Sequence, residues 1–205
     1  MSGLAQTKGD GRKPYHHGDL RGALLEAIRA LVERDGPDAF RIAEACRMAG
    51  VSTAAPYKHF ADRDAMLHGV ALAGMGRLSE AMERGAASHP PGDPARVVAL
   101  GEAYVGFAGA EPGVFRLMFG LADDHADDPD LTAAGDAAEA LVARVVGEHM
   151  GRDPASDDVR LRAYALWCFV HGHSFLMLDG KTDPMQAAAE AALLGLVGEA
   201  IVPSG

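Results

Sequence analysis

Apolar residues along the chain recur three and four positions apart, and no stretch alternates with a period of two. Such spacing places one apolar stripe along a helix. The first stripe is Leu20, Leu24, Ala27, Ile28 and Leu31, with Asp19 placed to cap it and Gly36-Pro37 to stop it. A second short pattern, Ala45, Cys46, Met48 and Ala49, runs into Gly50, a residue that turns left-handed without penalty. Val51 can tuck beneath that turn. Ser52 offers a hydroxyl to cap another helix, with Pro56 in its first turn and Phe60 closing it against a core. Asp62 then caps a long helix over about residues 62–85, whose seam is Met66, Leu67, Val70, Met75, Leu78 and Met82. Gly69, Gly74 and Gly76 interrupt this helix, each at about 1 kcal/mol relative to Ala where exposed.

Residues 88–94 (SHPPGDP) break the pattern. Beyond them a helix carries Val97, Val98, Leu100, Tyr104, Val105 and Phe107 and ends near Glu111-Pro112-Gly113. A short segment over 114–119 precedes an acidic loop at 123–130, which lacks the glycine turn and final glutamate of a calcium loop. Three more helices are expected at about 131–150, 158–178 and 184–201. Asp93-Pro94 and Asp183-Pro184 each put a capping residue ahead of a proline at the first helical position. The last two helices are apolar or small nearly all round. A chain this short can hardly cover both on every side, so a second copy is expected to do so, in a four-helix bundle. Ala187, Ala191, Leu194 and Val197 are the expected seam. The fold class is all-α.

The net charge of −10 argues at first against a nucleic-acid partner. Its distribution along the chain argues the other way. Residues 1–68 hold ten basic and nine acidic side chains, whereas the remainder holds nine and twenty, a net of −11. An acidic body leaves the N-terminal head as the face for DNA. Two cysteines, Cys46 and Cys168, sit far apart inside apolar patterns and are expected as buried, reduced thiols in a cytoplasmic protein. No run suits a bilayer span or a signal peptide. No nucleophile elbow, phosphate loop or zinc motif is present, and neither an enzyme nor a cofactor is expected. Cys168 and His171 share a helical face and imitate a dyad, but their apolar surroundings do not favour a thiolate. His171 and His173 point roughly 200° apart on a helix, so one ion cannot easily take both. A dimeric scaffold without a ligand would share the bundle but would have no use for the head.

Two short helices joined through Gly50, the second rich in donors, form the helix-turn-helix layout that reads a major groove. AGVS at 49–52, YKHF at 57–60 and DRDAML at 62–67 closely resemble the DNA-binding domain of TetR/AcrR-type transcriptional regulators. The match extends back to YHHGDLR at 15–21 and departs at Ala45-Cys46, where that family more often has a larger aliphatic followed by alanine. It implies that Tyr57, His59 and Arg63 touch phosphates, while Thr53, Ala54 and Lys58, with Ser52 at the cap, lie nearest base edges. His16 and His17 fit either a backbone contact or an ordinary flexible lead-in. Further on, WCFVHG at 167–172 and PGVFRLMFG at 112–120 resemble the WHG-type effector domain of one branch of such regulators.

The organisation expected is a flexible arm over 1–14, a helix-turn-helix domain over 15–61, and an effector-binding and dimerising body over 62–205, with 62–85 as the connecting helix. The function implied is a ligand-responsive repressor that binds a palindromic operator as a homodimer and is released by a small hydrophobic or aromatic effector. Tyr104, Phe107, Phe115, Met118, Phe119, Trp167 and His171 are the candidate pocket lining, although the same residues fit a plain core.

Overall fold

The computed structural model describes residues 20–120, 128–183 and 190–202, and all regular structure in them is helical. In order these are α1 (Leu20–Asp35), α2 (Ile42–Ala49), a 3-10 turn (Pro56–Lys58), α3 (Arg63–Ala87), α4 (Ala95–Ala110), α5 (Pro112–Gly120), α6 (Pro129–Met150), α7 (Asp157–Leu178) and α8 (Glu190–Ile201). The arm at 1–14, Asp19, His16, His17, Pro184 and Ala187 lie outside the described residues.

The helix ends follow the chemistry of their caps. Gly50 closes α2 at φ 70° and ψ 30°, and the next N–H, on Val51, donates to the Cys46 carbonyl at 2.9 Å. The Asp62 carboxylate accepts from the Ala65 N–H at 2.8 Å and starts α3. Asp128 does the same for α6, accepting from Asp130 and Leu131 at 3.0 and 2.9 Å. The acidic stretch expected as a loop to residue 130 therefore ends earlier: Asp128 is a cap, and Pro129 and Asp130 open the helix.

α3 is the spine. It packs on α1 in the head and on α4, α5 and α6 in the body. Leu24, Ile28 and Leu31 of α1 join Met66, Val70 and Leu78 of α3 and Val114 and Phe115 of α5 in one continuous core. Gly74 permits part of this packing. A β-carbon there would meet Val114 Cγ1 at 2.6 Å and Met118 Sδ at 2.8 Å, whereas one on Gly76 would meet nothing within 4 Å. The guanidinium of buried Arg96 on α4 donates to the Ala86 carbonyl at 2.8 Å and pairs with Glu148, tying the end of α3 to α6.

Two expectations about α7 and α8 change. Cys46 is buried, but Cys168 is exposed on the outer face of α7. Leu194 is not free for a seam, because it is buried against α4, 3.0 Å from where a Gly101 side chain would begin. Val197 also turns inward, and both line a small hollow of about 40 Å³ between α4, α7 and α8. Ala191 is exposed. The aliphatic side chains these two helices leave outside are Leu161 (67% exposed), Leu176 (49%) and Leu196 (66%). A period of 3.6 on helices this uniformly apolar does not say which side faces in; close contact with the small residues of α4 decides it.

Candidate functional site

The segment after Gly50 is shorter and tighter than an α-helix. Pro56 has no N–H to donate, and the bonds that follow are of the 3-10 kind: Lys58 N–H to the Ala55 carbonyl at 3.2 Å, His59 N–H to Pro56 at 2.9 Å. Ser52 enters through its carbonyl, which accepts from Ala55 N–H at 3.0 Å. The helix expected here is thus a turn followed by one 3-10 turn. Its anchoring is nonetheless firm. Pro56 and Phe60 are buried, and the Arg21 guanidinium lies 5.3 Å over the Phe60 ring. Ser52, Thr53, Ala54, Tyr57, Lys58 and His59 are all exposed, so the apolar pair points inward and the hydrogen-bonding groups point out.

Arg63 behaves differently. Its guanidinium donates to the Pro37 carbonyl and lies 4.7 Å over the Phe40 ring. It is half-buried and braces the turn between α1 and α2, instead of standing free for a phosphate as expected.

In the body a cavity of about 230 Å³ opens between α3, α4, α5, α6 and α7. Met75, Leu78 and Met82 of α3 form one wall. Tyr104, Phe119, Tyr164 and Trp167 supply four aromatic rings, and Gly135, Ala138, Glu139, Val142 and Ala163 complete it. Of the expected lining, Tyr104, Phe119 and Trp167 face this space. His171 stands behind it, with Nδ1 2.8 Å from the Tyr104 hydroxyl. Phe107, Phe115 and Met118 are core instead: Phe115 is fully buried, edge-on to Tyr104 at 5.7 Å, and Met118 packs on Gly74. Spacing missed Tyr164, Glu139 and Val142. The first lies on an otherwise exposed part of α7, and the other two lie on α6, which carries no aromatic signal.

Tyr104 in the cavity wall and His171 behind it satisfy each other. Burial pushes the His171 pKa down, so the ring stays neutral and Nδ1 can accept. Burial likewise pushes the Tyr104 phenol up, keeping it a donor, while the neighbouring Trp167 indole acts the other way. The Tyr104 hydroxyl therefore donates to His171 Nδ1. Around the His171 ring stand Phe115, Phe119, Trp167 and Phe175, at 6.0, 4.5, 5.2 and 4.9 Å between centroids. His173, on the opposite side of α7, faces Glu190 at 3.4 Å.

Between head and body lies a joint that no local pattern could disclose. The Glu33 carboxylate, at the end of α1, accepts from the Gly113 and Val114 N–H groups at 3.0 and 2.8 Å and so caps α5. Beside it Arg77 donates to Glu111 through two bonds at 2.9 and 2.6 Å. His68 Nε2 stands 2.9 Å from Asp128, linking the start of α3 to the cap of α6. The other end of α5 delivers Phe119 to the cavity.

Residues 97–198 match the family model described as Tetracyclin repressor-like, C-terminal domain. No curated protein is significantly similar in sequence. Among solved structures, a protein of unknown function from Rhodococcus sp. RHA1 is 32% identical over 90% of this chain and 98% of its own, with a TM-score of 0.75. A tetR-family transcriptional regulator from Streptomyces coelicolor superposes with a TM-score of 0.69 at 17% identity, covering 89% of this chain and 78% of its own. FadR from Bacillus subtilis, in complex with stearoyl-CoA, gives 0.64 at 14%, covering 90% and 99%. The C-terminal match, the fold of these neighbours and the helix-turn-helix head agree. The chain belongs to the TetR family of transcriptional regulators, proteins that are not enzymes.

Proposed function

We propose that this regulator is a repressor that binds a palindromic operator as a homodimer and lets it go when a small hydrophobic or aromatic effector fills the body cavity. Residues 15–61 act as the DNA-reading head and 62–205 as the effector-binding and dimerising body, joined through α3. The observation that carries the reading is the exposed row Thr53, Ala54, Tyr57, Lys58 and His59, fixed from beneath by buried Pro56 and Phe60. Tyr57 and His59 are assigned to phosphates. Thr53, Ala54 and Lys58 are assigned to base edges, where lysine donates to guanine and a small side chain meets a thymine methyl. Ser52 shapes the approach, and Arg63 supports the head from inside.

Two copies would meet through the outer faces of α7 and α8, where Leu161, Leu176 and Leu196 stand exposed. The partner heads must then fall about one turn of DNA apart, roughly 34–36 Å. That FadR, which shares this fold, is a complex with stearoyl-CoA supports control by a ligand. No helix among the described residues is long and apolar enough to cross a membrane, which accords with a cytoplasmic site of action.

Genomic fragments retained by the protein identify the operator, and variants then test the head. Tyr57→Ala should weaken all sequences about equally. Lys58→Ala should lose preference at one base pair by about 1–3 kcal/mol. Both should remain dimers in sedimentation. Unchanged affinity of the two variants at moderate salt would remove this segment from the DNA interface.

A further inference from the structure

The chemistry left open to a ligand in the body cavity is one-sided. The Tyr104 hydroxyl is engaged on His171 Nδ1. Beyond it the described wall offers four rings, Tyr104, Phe119, Tyr164 and Trp167, and one charge, the Glu139 carboxylate. Glu139 is the single charged side chain among the described residues that line the space, and it stands exposed on α6. Among the described residues no hydrogen bond or ion pair engages it. No Lys, Arg or His is in the described wall. Aromatic faces carry negative potential and attract cations, and a carboxylate at the mouth adds to that field. An anion would meet Glu139 with no counter-charge. A neutral ligand could fill the space but would gain nothing from the carboxylate.

We propose that the cavity selects lipophilic organic cations: an aryl or alkyl body among the rings, with an ammonium or similar charge directed to Glu139. This rests on the reading of the cavity as the effector site and narrows it to one class of ligand.

The test compares two probes of one shape, phenyltrimethylammonium and its neutral isostere tert-butylbenzene, added to the whole chain. Trp167 is the sequence's one tryptophan and lies in the wall, so its emission reports occupancy. The rise in melting temperature reports binding independently. Wild type should bind the cation about fivefold or more tighter than the isostere, in the range expected of cation–π and charge contacts. Glu139→Gln should lower cation affinity about fivefold while leaving the isostere unchanged. Preference for the isostere, equal affinity, or an equal loss of both in Glu139→Gln overturns the proposal while leaving the cavity as an effector site. Failure of both probes to bind overturns the proposal, and it removes the support that this cavity gives to ligand control.

Discussion

The head and the body handle their polar side chains in opposite ways. In the head, Thr53, Tyr57, Lys58 and His59 stand outside with their side chains turned to solvent, and only Pro56 and Phe60 go in. In the body, the Tyr104 and His171 side chains are drawn inward and bond each other. A surface that must meet phosphates and base edges works by leaving donors exposed on a rigid base. A wall around a cavity holds buried donors and must satisfy them, because a buried donor without a partner is costly. Exposure in the head therefore lies on the donors, whereas on α7 and α8 it also lies on an outer apolar side, at Leu161, Leu176 and Leu196.

The largest effect on this contrast is expected at that outer apolar side. A Leu161→Glu, Leu196→Glu double variant puts charge on positions already in solvent, so each protomer should keep its fold while the dimer separates. Operator affinity should then fall by roughly a hundredfold or more, since two heads no longer act together. Sedimentation and DNA titration on the same samples check both halves. Leu194→Glu makes the control. It forces a carboxylate into a buried site and should reduce folding itself, read as a lost thermal transition. Double-variant dimers of wild-type affinity would remove α7 and α8 from the interface.

A second contrast lies within α3, where Gly74 and Gly76 look alike in sequence. Gly74 is buried against α5, and an added methyl would collide with Val114 and Met118. Gly74→Ala should cost about 1–3 kcal/mol, as overpacking does. Gly76 is exposed and open, so Gly76→Ala should stabilise by up to about 1 kcal/mol through helix propensity. Chemical denaturation of the two single variants decides it, and shifts of the same sign would contradict this packing. Because Gly74 sets the distance between α3 and α5, its variant should also disturb ligand binding at Phe119 more than the Gly76 variant does.

The helices and the head are legible in the sequence because their signals are local. Caps such as Asp62, the turn at Gly50 and the apolar seam of α3 each rest on neighbours a few residues apart. The cavity is half legible. Tyr104, Phe119 and Trp167 can be named as aromatics in the body, but nothing in their spacing separates them from Phe115 or Phe107, which face other helices. Glu139 looks like any solvated residue, and Leu194 looks like a seam residue until Gly101 gives it a place to go. The shape of the Ser52–His59 segment departs from expectation for a further reason. A proline tolerated in a first helical turn can instead hold the chain in a 3-10 turn, and only the bonds around it decide which.

The smallest effect concerns the joint between the two regions. Glu33 belongs to the head, yet its carboxylate caps α5, whose far end carries Phe119 into the cavity. A guest pressing on Phe119 would push α5 against an anchor in α1, while Met75, Leu78 and Met82 of α3 line the other side. A ligand shifts the equilibrium between DNA-binding and released arrangements only by its preference between them, typically about 1–3 kcal/mol, and operator must weaken ligand binding by the same factor. Glu33→Ala removes two cap bonds at a cost of about 1 kcal/mol in stability, and neither the reading row nor the cavity wall is touched. Operator affinity and ligand affinity, each measured alone, should therefore stay within about twofold of wild type, while the factor linking them shrinks. Glu33→Gln, which keeps one acceptor oxygen for the α5 N–H groups, should fall between. Calorimetry of ligand binding with and without operator, on all three proteins, reads this factor directly. Full wild-type coupling in Glu33→Ala would assign the communication to α3 alone.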